Sequence, residues 1–195
     1  MTTTLFDAEV PAATTAAGPR PLRVLGLDLS LTSTGIAFPD GATCRIKTRA
    51  KDGDRRLIHI RDFIRAALRA ETPTLAVIED LPRHAMGAGI TAHVHGIVKA
   101  ELLDHQVPYA LVVPATLKCY ATDYGKATKA RMAAAAYLAA GAEFVGDPGG
   151  DQCDAWWLRA AGLDWYGQPE FTLPAAQRER LGKVVWPDRE AVTVR

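Results

Sequence analysis

Two acidic residues each end a short apolar run of the chain. Asp28 closes the run that begins at Leu22, and Glu79 closes the run that begins at Thr74. Runs of this length are typical of strands, and the second, which is almost wholly apolar, suits a strand covered on both faces. Because open α/β sheets bind ligands at the carboxyl ends of their strands, we expect the two carboxylates to meet in the fold.

A second pair of acids stands near the end of the predicted domain. Asp151 and Asp154 are three residues apart and follow a stretch rich in Gly and Pro at positions 146–150. Residues at this spacing share one face of a helix. The pair is therefore expected to project from the first turn of a helix onto the same sheet edge.

Four carboxylates in one place repel one another unless a bound cation neutralises their charge. Oxygen ligands favour hard divalent ions, magnesium first, with manganese as a substitute, and two such ions would assist water attack on a phosphodiester. Each acid also has a simpler interpretation. Asp28 suits a turn or cap, Glu79 a partner of Arg83, Asp151 a helix N-cap, and Asp154 a solvent-facing position.

The surrounding pattern indicates which elements position these acids. Three strands joined by tight turns predict an antiparallel meander, and alternating helices and strands follow, so the fold class is a mixed α/β sheet. Strands are predicted at 22–28, 35–38, 43–49, 74–78 and 109–113, and helices at 54–70, 90–105, in the Ala-rich segment ending at 141, and at 151–161. We predict a flexible tail at 1–20, a domain at 21–163, and an extension at 164–195 that packs on the domain or reaches a partner.

Composition limits the function classes. The chain has 195 residues, about half hydrophobic, and 23 basic against 22 acidic side chains, so no global field attracts a polyanion. The segment from Arg45 to Arg69 contains nine Arg or Lys and only three Asp, a composition that suits a phosphate-tracking surface or an ordinary solvated face. Three scattered cysteines give neither a disulfide framework nor a zinc pattern, and no apolar run would cross a bilayer. These features predict a soluble, cytoplasmic protein.

The motifs together resemble the RuvC-like Holliday junction resolvases, most of all their bacteriophage versions, whose location is the bacterial host cytoplasm. The resemblance runs from about Leu22 to Gly162 and rests on the segments 26–35, 77–79, 95–98, 125–129 and 151–155 and on Lys118. It implies an RNase H-like fold with a five-stranded sheet, a homodimer built on the helix that follows a loop after Glu79, and cleavage of branched DNA such as four-way junctions, flaps or forks.

The same resemblance implies roles for individual residues. Asp28, Glu79, Asp151 and Asp154 match the four metal-binding carboxylates of the family. Lys118 and Lys129 fall where the family carries basic residues near the scissile phosphate and the junction backbone, and Lys126 is a neighbouring candidate by charge. Lys126 and Lys129 would otherwise be solvated residues near a helix start.

Two positions depart from the family pattern. Leu29-Ser30 replaces the usual Pro-Gly after the first Asp, and Pro82 stands where the family places an aromatic wedge for junction bases. Arg83 and His84 offer contacts to DNA from the same loop. The departures concern junction selection more than metal chemistry.

Two other functions suit this type of sheet. An actin-like ATPase also opens with an Asp and a Thr-rich turn, but it needs two related domains, and Gly125-Lys-Ala-Thr128 lacks the first Gly of a P-loop because position 120 is Tyr. A catalytically silent DNA-binding scaffold would have no use for four mutually repelling acids.

Overall fold

A single five-stranded sheet organises the chain. The computed structural model describes residues 21–81 and 88–193. The strands stand in the order β3-β2-β1-β4-β5, with β1, β2 and β3 antiparallel and both β4 and β5 parallel to β1. Their bounds are Val24–Asp28, Ser33–Ala37, Thr43–Lys47, Leu75–Glu79 and Tyr109–Val112, numbered β1 to β5 along the chain. The predicted mixed sheet, a meander plus parallel strands, is confirmed.

Helices cover both faces of this sheet. Alternate strand residues point to opposite faces, so Leu25 and Leu27 pack with Ile60 of α1 and Val98 of α2, whereas Val24 packs on the face that holds α5. The helices are α1 Arg55–Glu71, α2 Ala88–Asp104, α3 Pro114–Thr122, α4 Lys129–Ala140, α5 Asp151–Trp165, α6 Ala175–Arg178 and α7 Arg189–Thr193, with 3-10 turns at Ala50–Asp52 and Glu179–Lys183. None of the helices in the described ranges is long and apolar enough to span a membrane.

Helix α5 lies unusually close to the sheet because two strand positions lack a side chain. A Cβ added at Gly26 would overlap the Ala155 carbonyl oxygen, and a Cβ added at Gly35 would overlap the Asp151 carbonyl oxygen. Only glycine allows this approach of helix backbone to strand backbone. The two glycines therefore set the height of the first turn of α5 above β1 and β2.

The structure extends the sequence prediction at two helices and selects one of the two alternatives for the C-terminal segment. Pro114 does end a strand, but it also begins α3, where its fixed φ suits the first helical turn, so Lys118 lies on a helix. Helix α5 continues to Trp165 instead of ending near 161. Residues of the C-terminal segment pack on the domain, since Leu181 is buried in the main core and Trp186 stacks on Trp165 with ring centroids 5.5 Å apart.

Candidate functional site

Asp28 and Glu79 end two neighbouring parallel strands and lie side by side. Their strands are in register up to Leu27 and Ile78, so the next residue of each emerges at the same sheet edge. The two carboxyl groups lie close enough to affect each other's pKa. Two carboxylates this close repel each other, so ionising both is unfavourable unless a cation is bound.

The electrostatics of this pair follow from burial and crowding. Burial, and then the charge of Asp154, raises the pKa of Glu79 to about 7. Burial, and then Glu79 and Asp154, raises the pKa of Asp28 well above its usual range, although Lys129 acts in the opposite direction. Both shifts arise first from burial and then from neighbouring negative charge, so ionising both acids is unfavourable in the metal-free protein.

Asp154 extends the pair into a cluster from the first turn of α5. Its side chain is buried and forms an ion pair with Lys129 Nζ, while its Oδ1 atom is buried without a hydrogen-bond partner among the described residues. Burial raises the pKa of Asp154 more than Lys129 lowers it. The solvent-facing interpretation of Asp154 is therefore wrong.

Lys129, the first residue of α4, is the cation nearest to these acids in the structure. Burial acts to lower its pKa, but the Asp154 carboxylate, together with Asp28 and Glu79, outweighs that effect and the net shift is upward. Lys129 thus stays charged and faces three of the four predicted acids. It occupies the position of a counter-cation.

Asp151 lies in the same helical turn but is held from the other side. Its Oδ2 atom accepts a hydrogen bond of 2.5 Å from the Ser33 hydroxyl and lies 3.7 Å from Arg45 Nη1. Its negative charge contributes to the raised pKa values of both Asp28 and Asp154. Asp151 therefore lies within electrostatic range of Asp28 and Asp154, and these two lie within range of Glu79, at the carboxyl edge of β1 and β4.

Asp147, which the sequence analysis did not single out, fixes the start of α5. Its carboxylate accepts hydrogen bonds from the backbone N–H groups of Asp151, Gln152 and Cys153 at 3.0–3.2 Å, and Arg45 Nε lies 3.5 Å away. Gly150 occupies the N-cap position, so the N-cap interpretation of Asp151 is wrong. Asp147 takes that role and leaves the Asp151 carboxylate free to face the cluster.

The other predicted basic residues differ in their placement. Lys118 of α3 is half-buried, and its charge lowers the pKa values of Glu79 and Asp154, which puts it within range of the cluster. Lys126 is exposed in the turn before α4 and forms no ion pair with any residue of the described ranges. Arg83, with Pro82 and His84, lies outside the described residues.

The donor set fits a divalent cation, although the side chains are not gathered around one point. Across residues 21–81 and 88–193, no three Asp, Glu, His or Cys side chains surround a common ion position. Asp154 is turned to Lys129, and Asp151 is turned to Ser33 and Arg45. The unpartnered Oδ1 atom of Asp154, the raised pKa values of Asp28 and Glu79, and the all-carboxylate chemistry indicate that a hard cation would satisfy these groups.

Comparisons with known proteins place this geometry in a known fold. No family model matches the chain. The structure of T. thermophilus RuvC in complex with a Holliday junction substrate aligns with a TM-score of 0.64 and 17% identity over 77% of this chain and 99% of that one. A second Thermus thermophilus RuvC structure aligns with a TM-score of 0.61 and 18% identity over 77% of this chain and 100% of the other. The chain therefore has a RuvC-like fold, within which the four acids stand at the carboxyl edge of the central strands.

Proposed function

We propose that this protein is a magnesium-dependent endonuclease that cleaves branched DNA such as Holliday junctions. The observation that carries the proposal is the gathering of Asp28, Glu79, Asp151 and Asp154 at one sheet edge, with the pKa values of three of them raised by burial and mutual repulsion. Buried carboxylates that repel one another lower the stability of a fold, so their presence at one site indicates a functional use. Binding of a divalent cation accounts for this arrangement.

The four acids are the residues that would hold the cation. When bound, magnesium supplies Lewis-acid polarisation of the phosphodiester and lowers the pKa of water, as it does in other phosphodiester-cleaving sites. Ser33 and Arg45 hold the Asp151 carboxylate, and Asp147 holds the helix turn that carries it. These contacts fix the position of the Asp151 carboxylate at the sheet edge, and the acids would turn from their present partners toward one another to hold the cation.

Two lysines would stabilise the negative charge of the phosphate at the site. Lys129 neutralises Asp154 in the absence of a cation, and its long side chain, about half exposed, is free to turn toward a DNA phosphate once a cation takes over the carboxylate. Lys118 adds positive potential from α3. Cations aimed at the developing charge of a phosphodiester stabilise its transition state.

Branched DNA is supported as the substrate by the fold. One RuvC structure with this fold is bound to a Holliday junction substrate. An overall formal charge of +1 gives no long-range attraction to DNA, so recognition depends on local basic groups and on shape. Four-way junctions are the first substrate to test, followed by flaps and forks.

A homodimer built on α2 is part of the proposal. Gly96 and Leu103 lie on the outward face of this helix together with Ala92; Leu103 is 64% exposed, and a Cβ added at Gly96 would meet no atom within 4 Å. Small residues beside an exposed Leu allow two helices to approach closely. We expect a dimer in sedimentation analysis that Leu103→Asp converts to monomer; a monomeric wild-type protein would contradict this part.

Cleavage assays test the proposed function. The purified protein is incubated with four-way junction, flap, replication-fork and linear duplex DNA of equal length, with magnesium, with manganese or with EDTA. We expect divalent-dependent cutting of branched substrates in preference to the linear duplex. Asp28→Asn should remove the activity, whereas Asp104→Asn, an exposed Asp at the end of α2, should retain it. Binding of branched DNA without cutting under every condition would favour a silent scaffold.

A further inference from the structure

A basic pocket lies between the end of β3 and the start of α1, outside the carboxylate cluster. It has a volume of about 310 Å³ and is lined by Lys47, Arg49, Asp52, Arg55, Arg56 and His59. Four permanent positive charges and a histidine thus face a single acid. The pocket is formed by residues of the basic stretch 45–69, and the proposed cleavage chemistry uses none of them.

The positive charge of this pocket is not neutralised by the protein. In the described ranges, Lys47, Arg49, Arg55 and Arg56 form no ion pair, whereas Arg45, Arg61 and Arg65 of the same stretch are all paired with carboxylates (Asp147 and Asp151, Asp62, and Glu101, respectively). The guanidinium of Arg56 is anchored by a hydrogen bond of 2.8 Å from its Nε to the Gly53 carbonyl oxygen. Fixed, unpaired guanidinium groups are the usual recognition elements for phosphate.

The pocket opens at the same sheet edge as the four acids. Asp28 pairs with Gly35 and Gly35 pairs with Arg45 across the meander, and Lys47 lies two residues farther along β3, opposite Ser33. From strand spacing and rise, the Lys47 backbone is about 12 Å from that of Asp28. With an axial rise of about 3.4 Å per nucleotide, this separation corresponds to roughly three to four nucleotides of one DNA strand.

We propose that this pocket binds a backbone phosphate of the DNA substrate, a few nucleotides from the phosphodiester held at the carboxylate cluster. The choice of DNA as the source of the phosphate rests on the proposed function. Two anchoring points on one sheet edge, one at the acids and one at the pocket, define both the direction of the strand and its register. Phosphate contacts of this kind position a nucleic acid without reading its sequence.

Salt-dependent DNA binding tests the pocket without relying on cleavage. The dissociation constant for a labelled four-way junction is measured by fluorescence anisotropy in EDTA from 50 to 200 mM salt. The variants are Arg55→Gln and the double variant Arg49→Gln/Arg55→Gln, which alter exposed side chains. Arg69→Gln is the matched control, because it removes the same charge from the same helix about 21 Å away.

The expected result is a smaller dependence of binding on salt. The pocket holds one phosphate, and losing one phosphate contact lowers the magnitude of the slope of log K against log salt by about 0.9, so the double variant should lose about 0.9 and should bind about tenfold more weakly at 0.1 M salt. Arg69→Gln should match the wild type. Unchanged slopes in the double variant, or an equal loss in Arg69→Gln, would overturn the proposal.

Two further experiments distinguish binding of a DNA phosphate from a free-anion site, and the pocket proposal from the proposed nuclease function. Calorimetry with inorganic phosphate tests for a free-anion site: binding that the double variant abolishes, with unaltered DNA slopes, would overturn the assignment to DNA. If the wild-type protein binds junctions through these arginines but cuts no DNA with magnesium, the proposed nuclease function fails while the pocket stands. If the wild-type protein cuts branched DNA but the salt slope of the double variant is unaltered, the nuclease function stands and the pocket proposal fails.

Discussion

Replacing Glu79 with Gln is expected to stabilise the metal-free protein at alkaline pH. The folded protein raises the pKa of Glu79 from 4.5 to about 7, chiefly by burial and then by the charge of Asp154. Ionising this carboxyl therefore weighs against folding. The penalty is absent below pH 4.5, grows between pH 4.5 and 7, and is complete above pH 7. Gln has nearly the same shape, carries no charge, and can donate to Asp28.

The size of the effect follows from the pKa difference. A rise from 4.5 to about 7 corresponds to roughly 3–4 kcal/mol at most, and the interaction with Asp28 reduces the part that Glu79 alone can release. For a domain of this size, a gain of about 1–3 kcal/mol raises the melting temperature by roughly 3–10 °C.

Thermal unfolding in EDTA at pH 8 and at pH 4.5 measures this gain. Glu79→Gln should melt at a higher temperature than the wild type at pH 8, and the difference should disappear at pH 4.5. Added magnesium should stabilise the wild type more than the variant, because the variant lacks one carboxylate. Glu179→Gln, an exposed Glu outside the cluster, should behave as wild type throughout. A variant that is no more stable at pH 8 than the wild type would refute the proposed repulsion.

Three further variants test the supports of the cluster. Gly35→Ala should lower stability by about 1–3 kcal/mol and reduce magnesium affinity, because its Cβ overlaps the backbone of α5, whereas Gly182→Ala, with open space around it, should do neither. Asp147→Ala removes three hydrogen bonds from the start of α5 and should cost about 2 kcal/mol in urea unfolding, with Asp147→Asn less harmful. Lys129→Met leaves the buried Asp154 without its cation and, since Lys129 is about half exposed, should cost about 1 kcal/mol in EDTA and less with magnesium. Wild-type melting of any of these three would count against the role given to that residue.

The sheet and the position of two acids could be predicted from the sequence. A short apolar run that ends abruptly in a carboxylate specifies both a buried strand and its functional edge, and Asp28 and Glu79 each carry that pattern. The fold prediction is confirmed by the strand order and by the RuvC structures. The assignment of the four acids as metal ligands stays a prediction.

Features that depend on long-range contacts could not be predicted from the local sequence pattern. The hydrogen bond from Ser33 to Asp151 joins residues 118 positions apart, and nothing in either local pattern indicates it. Asp147 looks like a loop residue before Pro and Gly, although its carboxylate caps a helix four residues later. Helix α3 was not predicted, because a Pro that follows an apolar strand can mark the end of the strand and equally well the first turn of a helix.

Single-turnover cleavage of a four-way junction by the wild-type protein and by Asp28→Asn, over a titration of magnesium, tests the central claim most directly. We expect cutting by the wild type that rises with magnesium and a loss of more than about 100-fold in the variant, since replacing residues that only support metal ligands already costs roughly 10–100-fold in other metal sites. Equal cutting by the two proteins, or wild-type cutting that is as fast in EDTA, would contradict it.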